Sequence, residues 1–184
     1  DGSVAIGQQA MTSLTSGARN TAVGYQSSYF QSTGTDNTYL GYWAGSGESG
    51  GSHSNNVGIG SNALGTINSG GSNVGIGHDA LKTLDDGTEN VAIGTTVMED
   101  ATSGSGNVAI GTECLQNLTT GINNVAIGKS SLNGAGVNPS SSVAVGNQAG
   151  RYAEGNNNIA LGQSALKGDN AGNFVGVNNI AIGY

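Results

Sequence analysis

The stretch Asn107-Val108-Ala109-Ile110-Gly111-Thr112-Glu113-Cys114-Leu115-Gln116-Asn117-Leu118 carries the pattern that decides the fold. Val108 and Ile110 alternate with Ala109, which is the period of two of a β-strand, and Val and Ile favour that conformation. The same unit recurs on both sides. Aligned on the tetrapeptide apolar-small-apolar-Gly, the glycine falls at Gly7, Gly24, Gly41, Gly60, Gly77, Gly94, Gly111, Gly128, Gly146, Gly162 and Gly183, with spacings of 17, 17, 19, 17, 17, 17, 17, 18, 16 and 21. Self-similarity at a nearly fixed period marks an architecture that stacks one structural unit per repeat. Residues 1–184 are therefore read as a single tandem-repeat domain of eleven coils, each of about 17 residues.

Within each unit an Asn precedes the strand, Ala-Leu follows the glycine after two variable residues, and a further apolar residue comes three positions later. Gly17, Gly34, Gly70, Gly87, Gly104, Gly121 and Gly155 each sit three residues before that Asn position, where a reversing chain would use a permissive backbone. With the strand glycine as a second bend, the unit has the length of one flattened coil of two short strands. The expected fold class is all-β, a parallel β-solenoid with successive coils about 4.8 Å apart.

Stacking in register turns repeat positions into columns. Val57, Val74, Val91, Val108 and Val125 are expected to form one inward apolar column, with Ile59, Ile76, Ile93, Ile110 and Ile127 beside it. Asn56, Asn73, Asn90, Asn107 and Asn124 are expected to form an amide ladder, each side chain donating to one neighbour and accepting from another. The other strand face carries a stripe of small residues, including Ala92, Ala109, Ala126 and Ala144, and is read as a contact between parallel chains.

Composition agrees with a repeat and with assembly. Thirty-four glycines, one proline, 9% charged and 5% aromatic residues leave few large side chains for a globular core, so each coil is expected to need burial against other chains. The net charge of −7 contains no clustered Lys or Arg, which argues against nucleic acid as a partner. Cys114 is the sole cysteine, forms no intrachain disulfide, and is expected to pack as a small apolar residue. Apolar runs fall well short of the roughly 20 residues of a membrane span, so no insertion by this segment is expected, and any export signal or anchor would lie outside it.

No constellation for chemistry emerges. His53 and His78 stand 25 residues apart without a recurring partner and are read as turn or surface residues. Asp79 and Glu113 share a repeat position two coils apart, about 10 Å in a regular stack, whereas glycan cleavage would need such a pair within an aromatic-lined groove and the acidic residues here fall mainly in turns. The Asp85, Asp86 and Glu89 group reads as a solvated turn, and the repeat lacks both the spaced Cys and His of a zinc site and the recurrent Asp of calcium-binding rolls. No catalytic residue, metal or cofactor is expected.

One compositional anomaly stands out. Tyr25, Tyr29, Phe30, Tyr39, Tyr42 and Trp43 gather six of the nine aromatic residues within 19 positions; they are the candidate receptor-binding patch if this segment binds a receptor, and packing at a chain seam or against an upstream domain is the reading ranked above it.

The repeats Asn90 to Gly94, Asn107 to Gly111 and Asn124 to Gly128, each reading N-V-A-I-G, resemble the YadA-like head repeats of trimeric autotransporter adhesins. That resemblance implies a left-handed parallel β-roll assembled as a homotrimer at the cell surface. The longer unit, Ala-Leu-x-x-Leu followed by Thr-Gly-x-Asn-Asn-Val-Ala-Ile-Gly, is similar to stretches of bacteriophage tail fibres. The function it implies is a non-enzymatic, extracellular fibre segment that reaches a cell-surface glycan or protein receptor, with a bacterial adhesin head as the alternative. A glycan-cleaving tail spike, which needs two positioned carboxylates, and an ice-binding solenoid, which needs a regular Thr column, rank below both.

Overall fold

The computed structural model describes residues 2–134, 138–169 and 176–184. Eleven three-residue strands run in order: β1 Val4–Ile6, β2 Thr21–Val23, β3 Thr38–Leu40, β4 Val57–Ile59, β5 Val74–Ile76, β6 Val91–Ile93, β7 Val108–Ile110, β8 Val125–Ile127, β9 Val143–Val145, β10 Ile159–Leu161 and β11 Ile180–Ile182. They form one parallel sheet in sequence order, in which each strand pairs only with its predecessor and successor. Equivalent residues sit opposite one another, as in Val108↔Val125, Ala109↔Ala126 and Ile110↔Ile127. The chain is a β-solenoid whose coils are the repeats. Spacings of 19 and 18 leave this register intact at Thr38↔Val57 and Val125↔Val143, so the turns absorb the extra residues and the sheet does not.

Each coil has one strand, not the two read from its length. The opposite wall is a ladder of turns in which alternate residues take left-handed backbone, as at Asp79 (φ 56°), Leu81 (φ 54°), Glu113 (φ 58°) and Leu115 (φ 49°). It is still bonded coil to coil: Leu81 N–H donates to Val97 O at 3.0 Å and Thr83 N–H to Glu99 O at 3.2 Å. Ordinary side chains cost energy in this conformation, and the inter-coil bonds and packing hold them there.

The core is turned inside out relative to the expectation from the strands. The central residue of each strand points inward: Ala92, Ala109, Ala126 and Ala144 are fully buried within the coil. Val and Ile on either side point outward, with Ile59, Ile110 and Ile127 each 37–38% exposed. Ala92, Ala109, Ala126 and Ala144 therefore cannot be the contact between chains, and the Val and Ile columns are not the core. The reason is volume. The turn wall projects Leu64, Leu81, Met98 and Leu115, together with Ile67, Leu84 and Leu118, into the coil, where all are buried. A Cβ added at Gly75 would already lie 3.4 Å from Leu64 and 3.7 Å from Leu81, so only Gly or Ala fits opposite them.

The two glycine columns have different causes. The strand glycines bend the chain with φ between 122° and 141°, a region open to glycine alone in practice. The turn glycines such as Gly87 have ordinary φ, but a Cβ there would fall on the carbonyl oxygen of Gly104 in the next coil. Close approach between coils, not the reversal of direction, requires them.

Candidate functional site

The asparagine column is the most regular polar feature, and it is structural. Asn90 N–H and Nδ2 both donate to Asn73 Oδ1 at 3.0 Å, and Nδ2 also donates to Gly104 O at 2.7 Å. Asn107 repeats the pattern on Asn90 Oδ1 and Gly121 O, and Asn124 on Asn107 Oδ1 and Pro139 O. Each buried amide thus uses both donors and accepts twice, leaving nothing for a ligand. The ladder extends beyond the five residues expected: Asn20 and Asn37 continue it below Asn56. Above Asn124, Ser142 replaces one rung before Asn158 and Asn179 resume the column.

The aromatic residues divide into three groups. Tyr39 occupies the inward position of β3 and is fully buried, which removes it from any receptor-binding patch. Its ring fills space left by two glycines, since a Cβ at Gly45 would overlap the ring and one at Gly58 would lie 2.7 Å from it. Tyr29 and Phe30 form an edge-on pair, centroids 4.5 Å apart, and are half-buried. Tyr25, Tyr42 and Trp43 form an exposed row: Tyr25 stacks on Tyr42 at 5.4 Å and 9°, and Tyr42 lies against Trp43 at 6.1 Å and 24°. The six residues are neighbours in sequence but only three form the surface ledge.

Beneath the ledge the core turns polar. Ser28 and Gln31 stand where Leu115 and Leu118 stand in the unit quoted first, and Ser28 Oγ bonds Gln31 Oε1. His53 takes the place of a turn glycine and is fully buried, not at the surface as the sequence suggested. Tyr39 donates to Asn37 Oδ1 at 3.3 Å and lies 2.9 Å from His53 Nδ1. Nε2 of His53 is left without a hydrogen-bond partner among the described residues. Burial pushes the His53 pKa down to about 4, so the ring is neutral, and burial raises that of Tyr39 above its ordinary value. The nearest polar groups fix Tyr39 in place and offer no path to solvent chemistry.

Beside the ledge lies a cleft of about 290 Å³ lined by Trp43, Gly47, Asn62, Gly65, Thr66 and Lys82. Lys82 Nζ lies 3.6 Å from Asp79 and 3.4 Å from Glu99, so its charge is already matched. Asp79 also accepts from Asn62 Nδ2 at 2.9 Å and faces His78 at 3.2 Å, while Glu113 accepts from Ser130 at 2.8 Å. These carboxylates serve inter-coil pairs. Cys114 behaves as a buried apolar residue: Sγ donates to Ala126 O at 3.1 Å, and burial pushes the thiol up to about 12. Among the described residues, no three His, Cys, Asp or Glu side chains come together as a metal site would need.

The cleft was not foreseen from the repeat, although a signal was present. Lys82, Glu99 and Gln116 mark the same repeat position as Gly65, and the one glycine among them opens the space beside Trp43. The chain matches no protein-family model, curated protein or solved structure.

Proposed function

We propose that this chain is a non-enzymatic segment of an extracellular fibre, of the kind that carries bacteriophage tails to the host surface, working as a parallel homotrimer joined through its Val/Ile face. One observation carries the reading. The outer sheet face presents two unbroken side-chain columns, Val or Thr with an occasional Ile on one side and Ile, Val or Leu on the other, over all eleven strands. A continuous apolar stripe of that length on a soluble chain marks a protein interface. Its regular straight register suits an identical parallel stripe, and a three-fold arrangement is what the resemblance to adhesin heads implies. The coil interior needs no partner for its own closure, so assembly adds burial on the outside while the ladder and Leu core hold the inside.

The enzyme reading has little support: the buried His53 and Tyr39 are committed to the core and the carboxylates to inter-coil pairs. Light scattering on the purified chain tests the assembly. The expected mass is three times 18.1 kDa, falling to one chain in an Ile110→Lys, Ile127→Lys double variant that keeps its β circular dichroism. Because both positions are exposed in the single chain, lysine there does not disturb the coil. A wild-type mass of one chain, or an unchanged mass in the double variant, would overturn the proposed face.

A further inference from the structure

The geometry points to a carbohydrate site across the third to fifth coils: an uncharged hexopyranose unit seated in the cleft between Trp43 and Lys82, its apolar face on the indole. This rests on the fibre reading only in that the ledge must lie outside the trimer face.

The repeat itself supplies that condition. Tyr25 and Tyr42 sit one residue past the strand glycine, a column that reads Gln8, Ser61, His78, Thr95, Thr112, Lys129, Asn147 and Gln163 in the other coils and ends in Tyr184. Trp43 belongs to the next column, which reads Gln9, Gln26, Asn62, Asp79, Thr96 and Glu113 in nearby coils. Columns of one straight rod share one environment, so positions that hold lysine, glutamate and asparagine along its length face water in the assembly too. The three rings are therefore apolar surface placed where every neighbouring coil is polar. Trp43 shares the left-handed backbone of its whole column, and its side chain remains 37% exposed. Core packing does not explain such a residue.

The cleft explains what the ring faces. Aromatic faces bind the CH-rich face of a sugar ring, while polar groups at the edge take the hydroxyls. Asn62 spends one amide hydrogen on Asp79, and Thr66 donates to Lys82 O at 3.2 Å, so the amide carbonyl and the hydroxyl oxygen retain capacity to accept. Lys82 is balanced by Asp79 and Glu99, and the chain carries a net charge of −7. A carboxylated or sulfated sugar would meet no free cation, which selects an uncharged ring. The volume of about 290 Å³ suits one ring, and the Tyr42–Tyr25 row extends the apolar surface beyond it.

Trp43 is the sole tryptophan, so its fluorescence reports the site directly. Purified protein would be titrated with glucose, galactose and mannose, with their linear oligomers, and with sialylated and sulfated counterparts, oligomer mass being followed in parallel. A saturable emission change with at least one uncharged sugar is expected, tighter for the oligomer if the Tyr row takes part. Gly65→Gln, which installs the side chain found at Gln116, should fill the cleft and weaken binding at least tenfold; Tyr42→Ala should weaken the oligomer more than the free sugar. Thr112→Ala, in the Tyr42 column four coils away, should change nothing. No response to any uncharged sugar, a response to acidic sugars alone, or full binding by Gly65→Gln in a folded protein would overturn the inference. If Gly65→Gln does not fold, unchanged oligomer binding by Tyr42→Ala overturns the row. A monomeric mass with intact sugar binding would remove the trimer and leave this site standing.

Discussion

At the scale of single residues, the turn wall is a repeated departure from ordinary backbone. Glu89 is exposed at φ 60°, donating its N–H to Gly71 O at 3.1 Å, in a repeat position where Asn55, Asn123, Asn157 and Asn178 recur beside Arg19, Asp36, Ser72, Gly106 and Ser141. Asn tolerates left-handed backbone better than Glu, so Glu89→Asn is expected to stabilise the fold by about 0.5–1 kcal/mol, seen as a higher urea midpoint at unchanged slope. His53 makes the opposite kind of contribution. Its folded pKa of about 4 lies below the free value of 6.5, so between these values the unfolded chain binds the extra proton. Its stabilisation is complete above about pH 6.5 and is lost as pH falls toward 4, by roughly 3 kcal/mol. Urea titrations at pH 7 and pH 4 should show this loss in the wild type and a smaller one in His53→Gln, the carboxylates being common to both. Equal losses would mean that water reaches the ring. None of this was readable beforehand, because left-handed φ at Leu or Glu has no sequence signature and His53 replaces a glycine without announcing which way it points.

At the scale of the element, the strand was legible and its orientation was not. The apolar-small-apolar-Gly alignment located all eleven strands, and the Asn column was read correctly because identical amides one coil apart have one obvious use. The inside face was misjudged because bulky Val and Ile suggest a core when the strand is considered alone. The information lay in the following segment, where Leu115 and Leu118 already fill the coil and leave room only for Ala opposite. Ala126→Trp is accordingly expected to break the coil, not to block assembly of folded chains. The ladder can be tested in the same terms. Asn107→Ala removes a double acceptor and a double donor: Asn124 N–H and Gly121 O lose their side-chain partner in the interior, Asn124 Nδ2 keeps only Pro139 O, and Asn90 Oδ1 keeps only the backbone N–H of residue 107. The expected cost is about 3–5 kcal/mol by chemical denaturation. Asn107→Ser should cost less, since Ser142 already serves as a rung, accepting from Asn158 N–H at 3.1 Å. Equal stability of the alanine and serine variants would show that volume, not amide satisfaction, sets the column.

At the scale of the whole molecule, and among the described residues, strand contacts run only between adjacent coils: each strand touches the strands next to it in sequence and no other. A rod with that connectivity has no unique centre, and its stability is close to a sum of equal coil and interface increments. Excising one full period should then be tolerated where excising part of one is not. Deleting residues 95–111, which removes 17 residues, joins Gly94 to Thr112 and brings β6 against β8 with Ala92 facing Ala126 and Asn90 below Asn124. Deleting residues 95–102, only eight, leaves a coil too short to carry a strand and a closing turn wall, and every column above it loses its partner. The first variant should retain its β circular dichroism and the wild-type number of chains, with a urea midpoint lowered modestly. The second should lose protection from hydrogen exchange on at least one side of the junction. The natural spacings of 16, 18 and 19 show that one or two residues can be taken up in a turn, which is why the comparison uses half a coil and not a single residue. If the 17-residue deletion unfolds as completely as the eight-residue one, interactions reaching beyond the neighbouring coil must stabilise the rod. The additive picture, and with it the claim that the repeat alone specifies this structure, would then be wrong.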